Sequence, residues 1–356
     1  MEKRVASGER IAAQRRALGL SQEAVAQAGG VTRQAVGAIE SGRTQPSVAL
    51  ALAIARALNA SVEELFGGDA DEDIARRAGE PQLQSGQRVV LATIGSRRIV
   101  RNLDQASPGC ALEPAGAIVI DSRPQQTRVR ILDTAAHDDP VLVSGCDVSL
   151  GLLVRHLDAR RAHGVWFAAS NTDALNDLAA GRTHVAAIHG PEAERKRVAR
   201  VHRFDLAGIE EGWLVARGNP HRFRGARDLV RDGIRLANRP PGSAARSLLD
   251  AQLRRAALDP RRAAGYERVL AGHLDVARAV QQGFADVGVG IASAARLFDL
   301  EFIPLRSERC SLLIPGAYLH HAGVAALVET LRSNAYRRDL EAFGPYDTRR
   351  TGESIA

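Results

Sequence analysis

Three short polar segments follow apolar runs in the second half of the chain, where a strand would end and a helix would begin. They read SGCD at 144–147, SNT at 170–172 and GSAAR at 242–246. Unpaired backbone N–H groups at a helix start and the positive end of the helix dipole favour a negatively charged ligand. Arg239 and Arg246 flank the third segment and offer charge-assisted hydrogen bonds to an oxyanion or a carboxylate. The pattern therefore predicts an anion-binding site.

Further candidates are scarce polar or aromatic side chains near predicted strand ends. His189 closes the strand HVAAIHG, His273 opens a helix, and Trp213 lies in the expected crossover. For these three residues, the competing interpretation is core packing or helix capping. Asp286 is a further candidate, and its competing interpretation is that it forms an ordinary turn. The predicted ligand-binding residues are Ser144, Cys146, Asp147, Ser170, Asn171, His189, Trp213, Arg239, Ser243, Arg246 and Asp286.

Catalytic and metal chemistry have no recognisable motif in this sequence. Walker, HExxH and GxSxG patterns are absent, and GVGI at 288–291 is too short for a dinucleotide fingerprint. Cys146 has no histidine nearby in the sequence to act as its base. Cys110, Cys146 and Cys310 are far apart and odd in number, which suits neither a disulfide framework nor a clustered zinc site. We predict reduced thiols, no catalytic residue, no metal and no cofactor.

Composition places the chain among ordinary globular proteins. Its 356 residues are 45% apolar and 25% charged, enough for two or three domains. A net charge of +7 fits a polyanionic partner, although arginine is spread over the whole chain and overall composition bias explains it equally well. Because no apolar run approaches the roughly 18 residues of a membrane helix, and the start MEKRVASGER lacks a signal sequence, we expect a cytoplasmic protein without membrane contact.

The elements that must position these residues follow from apolar periodicity. After residue 135, apolar strands alternate with helices in two βαβ-type units, which predicts two α/β lobes with a cleft between them over 135–356. We expect a C-terminal helix at 321–333 to pack on the first lobe. Short β-branched runs over 88–134 predict a small β-module, and the acidic, polar segment 67–87 is typical of a linker.

Residues 1–66 read as four or five short helices with start signals at Ser21, Thr32, Ser47 and Ser61. Val25, Val36 and Ile39 form the expected core between two of them. The fold class is therefore multidomain: an all-α bundle, a small β-module and a two-lobed α/β domain.

The run LSQEAVAQAGGVTRQAVGAIESGRTQPS resembles the Cro and phage-repressor (XRE-like) helix-turn-helix family, and the resemblance covers residues 8–66. It implies that the second helix of the motif lies in the major groove of an operator, with Arg33, Gln34, Gly37 and Ala38 outward. Arg and Gln each form two-pronged bonds to guanine and adenine, so Arg33 and Gln34 are the expected base readers.

The same resemblance assigns Gln22, Thr32 and Arg43 to phosphate contacts, which fix register rather than sequence. Because Gly37 and Ala38 are too short to reach bases, we expect a homodimer that reads two half-sites. Arg15 and Glu40 match an internal ion pair of some family members, with two solvated charges as the alternative.

The segments SGCDVSLGLLVRHL, LANRPPGSAARSLLDAQL and GYERVLAGHLDVARAVQQGFADVGVGIASAARLFDLEFIPL look like the periplasmic-binding-protein-like domain that is fused to helix-turn-helix modules or to molybdenum-cofactor proteins. CALEPAGAIVI in the β-module is similar to the small β-domain of molybdopterin molybdenumtransferases. The resemblance suggests molybdate or tungstate as ligand, while a sulfur oxyanion or a small carboxylate suits the same helix starts.

Two other functions stay open at this point. The likeness to molybdenum-cofactor proteins allows an enzyme or insertase accessory protein, although the catalytic part of that family is absent. A transporter's solute receptor shares the cleft but requires export, which the charged N-terminus disfavours. The sequence favours a one-component transcription regulator that senses a small anion and modulates operator binding.

Overall fold

The computed structural model describes residues 2–66, 71–77, 79–107, 114–132, 139–190 and 200–355. Cys110, part of the predicted linker and part of the β-module fall outside these ranges. The described residues form a helical bundle, a five-stranded antiparallel sheet and a two-lobed α/β domain. The predicted multidomain fold class is confirmed. No helix in the described ranges combines the length and apolar character needed to cross a membrane.

Five helices make up the N-terminal bundle: α1 Glu2–Ala17, α2 Gln22–Gly29, α3 Arg33–Glu40, α4 Val48–Ala57 and α5 Val62–Phe66. The side chains of Ser21, Thr32 and Ser47 each accept a hydrogen bond from the backbone N–H three residues further on. These bonds satisfy donors that a helix start leaves unpaired, so the three predicted caps are confirmed.

The bundle core has the composition expected from the spacing of its apolar residues. Val25 and Val36 are fully buried and Ile39 is 4% exposed. They pack with Ile11, Ile54 and Leu58 from the flanking helices. Burying one face of α3 in this way leaves its other face free for contact.

Arg15 and Glu40 join α1 to the end of α3. Arg15 Nε lies 2.6 Å from Glu40 Oε1, and Gln22 Nε2 donates to Glu40 Oε2 over 2.8 Å. Burial raises the pKa of Glu40, but these hydrogen bonds outweigh it and lower the pKa overall. The ion pair is therefore formed, and the alternative of two solvated charges is wrong.

The five-stranded sheet comprises β1 Asp71–Ala75, β2 Arg88–Ile94, β3 Arg97–Asn102, β4 Ala117–Arg123 and β5 Gln126–Ile131. Its order is β1-β5-β4-β2-β3, and every pairing is antiparallel. The four strands after residue 88 match the predicted β-module. Along β5, Thr127 and Val129 are buried and alternate with exposed arginines, as period-2 patterning requires.

Strand β1 lies inside the segment that the sequence indicated as a linker. Asp71 and Asp73 lie opposite Arg130 and Arg128 in the register with β5, and Asp73 Oδ1 lies 3.1 Å from Arg128 Nε. The linker interpretation is wrong for residues 71–75 because backbone pairing with β5 overrides their polar composition.

The first lobe contains β6 Val141–Gly145, α6 Ser149–His156, β7 Gly164–Ala168, α7 Asn171–Ala179 and β8 Val185–His189. Strand β6 pairs in parallel with both β7 and β8, which is the predicted βαβαβ unit. Helices α11 Ala322–Leu331 and α12 Asn334–Phe343 contact α6, so the C-terminal helix packs on the first lobe as expected.

The second lobe contains β10 Leu236–Ala237, α8 Ala244–Arg255, α9 His273–Gln281, β11 Val287–Ile291 and α10 Ala292–Leu297. Two long antiparallel strands, β9 Val201–Val215 and β12 Glu301–Pro315, run through both lobes. Strand β9 pairs with β11 in the second lobe, and β12 pairs with β8 in the first. A last short strand, β13 Ser354–Ile355, pairs with β9.

The β-module and the first lobe share one apolar core, to which Val90, Ile99 and Leu142 belong. At their boundary His184 Nδ1 accepts from the Leu142 N–H over 3.0 Å, and Nε2 lies 2.9 Å from the Thr93 carbonyl oxygen. Burial lowers the pKa of His184 to about 4. The neutral imidazole therefore links the two units.

Candidate functional site

The outward face of α3 is the candidate DNA interface. Arg33 and Gln34 are exposed in the first turn of this helix, and Thr32 caps it through the Ala35 N–H. Arg43 is exposed in the following loop, where its Nε donates to Ser41 Oγ over 2.8 Å. Two side chains of suitable reach thus project from one helix start.

Gly37 and Gln22 lie where α2 and α3 approach each other. A Cβ on Gly37 would meet the Gln22 side-chain amide at 3.8 Å, and that amide donates to Glu40. Gln22 is therefore anchored at the start of α2, on the side of the bundle that carries α3. Its predicted contact with phosphate, like those of Thr32 and Arg43, stays a prediction.

A second cluster lies where the crossing strands meet the first lobe; we name Cys146, His189 and Glu308 the thiol–imidazole cluster. Cys146 Sγ lies 3.0 Å from His189 Nε2, and His189 Nδ1 lies 2.9 Å from Glu308 Oε2. Cys146 is 7% and His189 2% exposed. The fold thus supplies a histidine partner for Cys146 that lies 43 positions away in the sequence.

Three elements hold His189 in place. Strand β8 ends at His189, opposite Cys310 of β12, and Asn171 at the start of α7 bonds the His189 backbone. Asn171 Nδ2 donates to the His189 carbonyl oxygen over 2.6 Å, and its Oδ1 accepts from the His189 N–H over 3.3 Å. Asn171 is thus a positioning residue.

Charged residues of the crossing strands surround this histidine. Arg306 donates to Glu211 Oε2 over 2.6 Å and also pairs with Glu308, while Glu211 Oε1 lies 3.8 Å from His189 Nδ1. Burial lowers the pKa of His189, but Cys146 and Glu308 raise it well above its ordinary value. Burial raises the pKa of Glu211. The raised pKa favours the protonated imidazole of His189 beside the Glu308 carboxylate.

Arg239 and His273 approach this cluster from the second lobe. Arg239 is 2% exposed, donates through Nη1 to the Ala271 carbonyl oxygen, and has no partner for Nε in the described ranges. Burial lowers the pKa of Arg239, and burial together with Arg239 and His189 lowers that of His273. His273 Nδ1 also has no partner among the described side chains and backbone.

The two predicted helix starts face each other across the lobes. Ser170 caps α7 through the Asp173 N–H, and Ser243 caps α8 through the Arg246 N–H. A Cβ on Gly242 would lie 3.2 Å from Thr172 Oγ1, so the lobes touch at this point. The cleft is closed beside the buried Arg239.

Other predicted ligand residues have structural partners instead. Ser144 Oγ donates to Asp177 and accepts from Arg101 at the β-module boundary. Asp147 Oδ1 accepts from the Ser149 N–H and from the Tyr346 hydroxyl. Both side chains are therefore used within the first lobe.

Three predicted ligand residues make other contacts in the second lobe. Trp213 is 1% exposed and packs edge-on against Phe223 in the apolar core, because its strand faces inward there. Asp286 is held by Arg235 in the turn before β11. Arg246 pairs with Asp250 four residues further along α8. Core packing, turn chemistry and a helix ion pair explain them.

Sequence reasoning missed Glu211, Arg306 and Glu308. All three lie in the middle of 15-residue strands, where β12 reads EFIPLRSERCSLLIP. Arg306, Glu308 and Cys310 alternate within this largely apolar strand. Two charged residues and a cysteine at alternate positions of a long, largely apolar strand are the signal that could have indicated a buried polar site.

Comparison with known proteins agrees with this architecture. Residues 154–332 match the family described as PBP superfamily domain, and residues 11–65 match the family described as Helix-turn-helix. The YvgK protein of Bacillus subtilis (strain 168) is 31% identical over 227 residues, covering 60% of this chain and 73% of that protein.

Two further similarities concern separate parts of the chain. An HTH-type transcriptional regulator of Methanothermobacter thermautotrophicus is 50% identical over 58 residues, 16% of this chain and 84% of that protein. A phosphate-bound substrate-binding protein of a putative phosphate ABC transporter from Clostridium perfringens superposes with a TM-score of 0.46 at 10% identity, covering 59% of this chain and 99% of that one. The chain belongs to the PBP superfamily domain family and is a helix-turn-helix DNA-binding regulator that carries this domain for ligand binding.

Proposed function

We propose that this regulator senses a small oxyanion that binds between its lobes beside Arg239 and thereby changes its affinity for an operator. Arg239 carries the proposal. Its guanidinium is 2% exposed, and within the described residues it contacts a carbonyl oxygen but no carboxylate. Asp275 and Glu211 act on this charge only from a distance, and a buried charge without a directly bonded counter-charge is costly. A bound anion would supply two-pronged, charge-assisted hydrogen bonds to it.

The surroundings of Arg239 favour a compact, tetrahedral anion. Gly272 and His273 begin the nine-residue helix α9, and a Cβ on Gly272 would lie 3.8 Å from Arg239 Nη1. The helix dipole adds to the positive field at this point. Close contact between Gly242 and Thr172 limits the space between the lobes. Molybdate and tungstate, with sulfate and phosphate as smaller relatives, have this shape and charge.

Coupling to DNA requires that the anion binds one arrangement of the lobes more tightly than another. We propose a homodimer whose two recognition helices contact successive major grooves of an operator. Lobe closure would then alter the distance or orientation between the two helices, since the β-module shares a core with the first lobe.

A thermal-shift screen of molybdate, tungstate, sulfate, phosphate and small carboxylates tests the proposal. A ligand at about one hundred times its dissociation constant stabilises the folded state by about 2.7 kcal/mol, which raises the melting temperature by several degrees. We expect such a shift with at least one oxyanion, and its loss in Arg239→Gln.

The matched control is Arg246→Gln, because Arg246 lies on the same turn but pairs with Asp250. This variant should keep the shift. Absence of a shift with every anion, or an equal loss in both variants, would refute an anion site at Arg239.

A further inference from the structure

We propose that Cys146, His189 and His273 bind a divalent transition metal ion of the zinc class. The three come from both lobes: Cys146 follows β6, His189 ends β8, and His273 begins α9. The inference does not rest on the oxyanion, because it uses a thiolate and two imidazoles rather than the Arg239 guanidinium.

The first support is the distance between the donor atoms. One donor atom from each of the three residues lies within 4.8 Å of the other two. Bonds of about 2.3 Å to sulfur and 2.0–2.1 Å to nitrogen in a tetrahedron separate the two donors by about 3.6 Å. Cys146 Sγ and His189 Nε2 are 3.0 Å apart, so small side-chain rotations would open the position for an ion.

The second support is the carboxylate behind His189. Glu308 Oε2 lies 2.9 Å from His189 Nδ1, so the Nδ1–H can donate to the carboxylate, and Nε2 faces Cys146 Sγ, where a metal ion would take the place of a proton. Metal-bound histidines almost always donate their other N–H to a carboxylate or a carbonyl in this way. Asn171 further holds the His189 backbone from both sides.

The third support is His273. This residue is 2% exposed, and its Nδ1 has no hydrogen-bond partner among the described residues. A buried polar atom without a partner costs free energy, which a bound ion would recover by accepting an imidazole lone pair. The thiolate and two nitrogens select a borderline or soft metal over magnesium or calcium.

A metal held by these residues would connect the two lobes. Cys146 and His189 belong to the first lobe and His273 to the second, so one ion would hold the cleft closed. Three protein ligands also leave a fourth position, which is typical of sites that take a further ligand.

Titration of the chelator-stripped, full-length chain with Zn²⁺ and Co²⁺ tests the inference. We expect one ion per chain, a rise in melting temperature, and a thiolate-to-cobalt charge-transfer band in the near ultraviolet. Cys146→Ser should abolish the band, and His273→Gln should weaken binding. Glu308→Gln, which replaces the carboxylate that contacts both His189 and Arg306, should weaken binding by about 10- to 100-fold.

Two variants serve as controls. Cys310→Ser removes the other described thiol, which is not among the three grouped donor residues, and should keep the band. Arg239→Gln should lose the response to oxyanions and keep the metal, so the two proposals can fail separately. The inference is overturned if the wild-type chain does not bind the metal stoichiometrically, or if Cys146→Ser keeps an undiminished cobalt band. If Cys146→Ser does not fold, an unchanged metal affinity in His273→Gln overturns the inference instead.

Discussion

At the scale of single residues, the DNA-binding face depends on very few side chains. Arg33 and Gln34 project from the exposed start of α3, whereas Gly37 and Ala38 offer no reach beyond the helix backbone. With Arg33 and Gln34 as the proposed base readers, each half-site of an operator would contribute little discrimination. The contribution of each of these two side chains to operator affinity should therefore be easy to measure.

Replacing Gln34 by alanine should remove a two-pronged contact to adenine. We expect affinity for the cognate operator to fall by about 1–3 kcal/mol, roughly 5- to 150-fold, with little change on random DNA. Competition binding assays with both duplexes at fixed salt measure this difference.

Gln27→Ala is the control, since Gln27 is exposed on α2 rather than on α3. Equal losses on operator and random DNA would show that Gln34 contacts phosphate and reads no base.

The residues of the thiol–imidazole cluster illustrate the limit of sequence reasoning. Cys146 and His189 are 43 positions apart, and His189 and Glu308 are 119 apart. The pairing of β8 with β6 on one side and with β12 on the other brings them together. Cys146 and His189 were identified separately from strand-end positions, but their partnership depends on strand order, which one sequence does not contain.

At the scale of elements, the boundary between the β-module and the first lobe carries a buried, neutral histidine. His184 joins the Leu142 N–H to the Thr93 carbonyl oxygen, and burial holds its pKa near 4. The unfolded chain would titrate near the ordinary histidine value of about 6.5. Between these values the unfolded chain binds a proton that the folded chain does not.

Stability should therefore be complete above about pH 6.5 and fall as the pH drops toward 4, by up to about 1.4 kcal/mol per pH unit. Urea unfolding at about pH 7 and about pH 5 measures the loss. His184→Gln should be less stable at neutral pH but should lose less on acidification. His202→Gln, at an exposed position of β9, should behave as the wild type. An identical pH dependence in His184→Gln would exclude this histidine as the cause.

Elements were predicted well where periodicity was strong and poorly where pairing decided the structure. The β-branched runs of β2 to β5 and the alternating units of both lobes follow from local pattern. Strand β1, DEDIA, has an acidic composition typical of a linker and becomes a strand because β5 offers it arginines at matching positions. That stabilisation comes from a partner 55 residues away.

At the scale of the whole molecule, the crossing strands β9 and β12 connect the two lobes and pass beside the thiol–imidazole cluster. Glu211, Arg306 and Glu308 lie in their middle, next to register shifts between Pro304 and Arg306 and at Cys310. A bulge increases local twist and bending. A rotation of one lobe relative to the other would bend the strands at these positions, so a ligand at the proposed site would act close to the axis of the movement.

If anion and operator bind to coupled states, their effects must be reciprocal. If the anion changes the affinity for the operator by a given factor, the operator must change the affinity for the anion by the same factor, typically 5- to 150-fold. Calorimetric titration of the oxyanion with and without saturating operator duplex measures this factor. Equal anion affinities, despite a changed operator affinity in the presence of the anion, would mean that the two effects have different origins.

The strand at 71–75 also determines how far the DNA-binding bundle extends from the rest of the chain. Helix α5 ends at Phe66 and β1 begins at Asp71, so five backbone steps connect them. Even when fully extended, five steps span at most about 18 Å. The end of each helical bundle therefore lies within this distance of β1, the edge strand of the five-stranded sheet. In a dimer, the distance between the two β1 strands would then set the spacing of operator half-sites that the protein accepts.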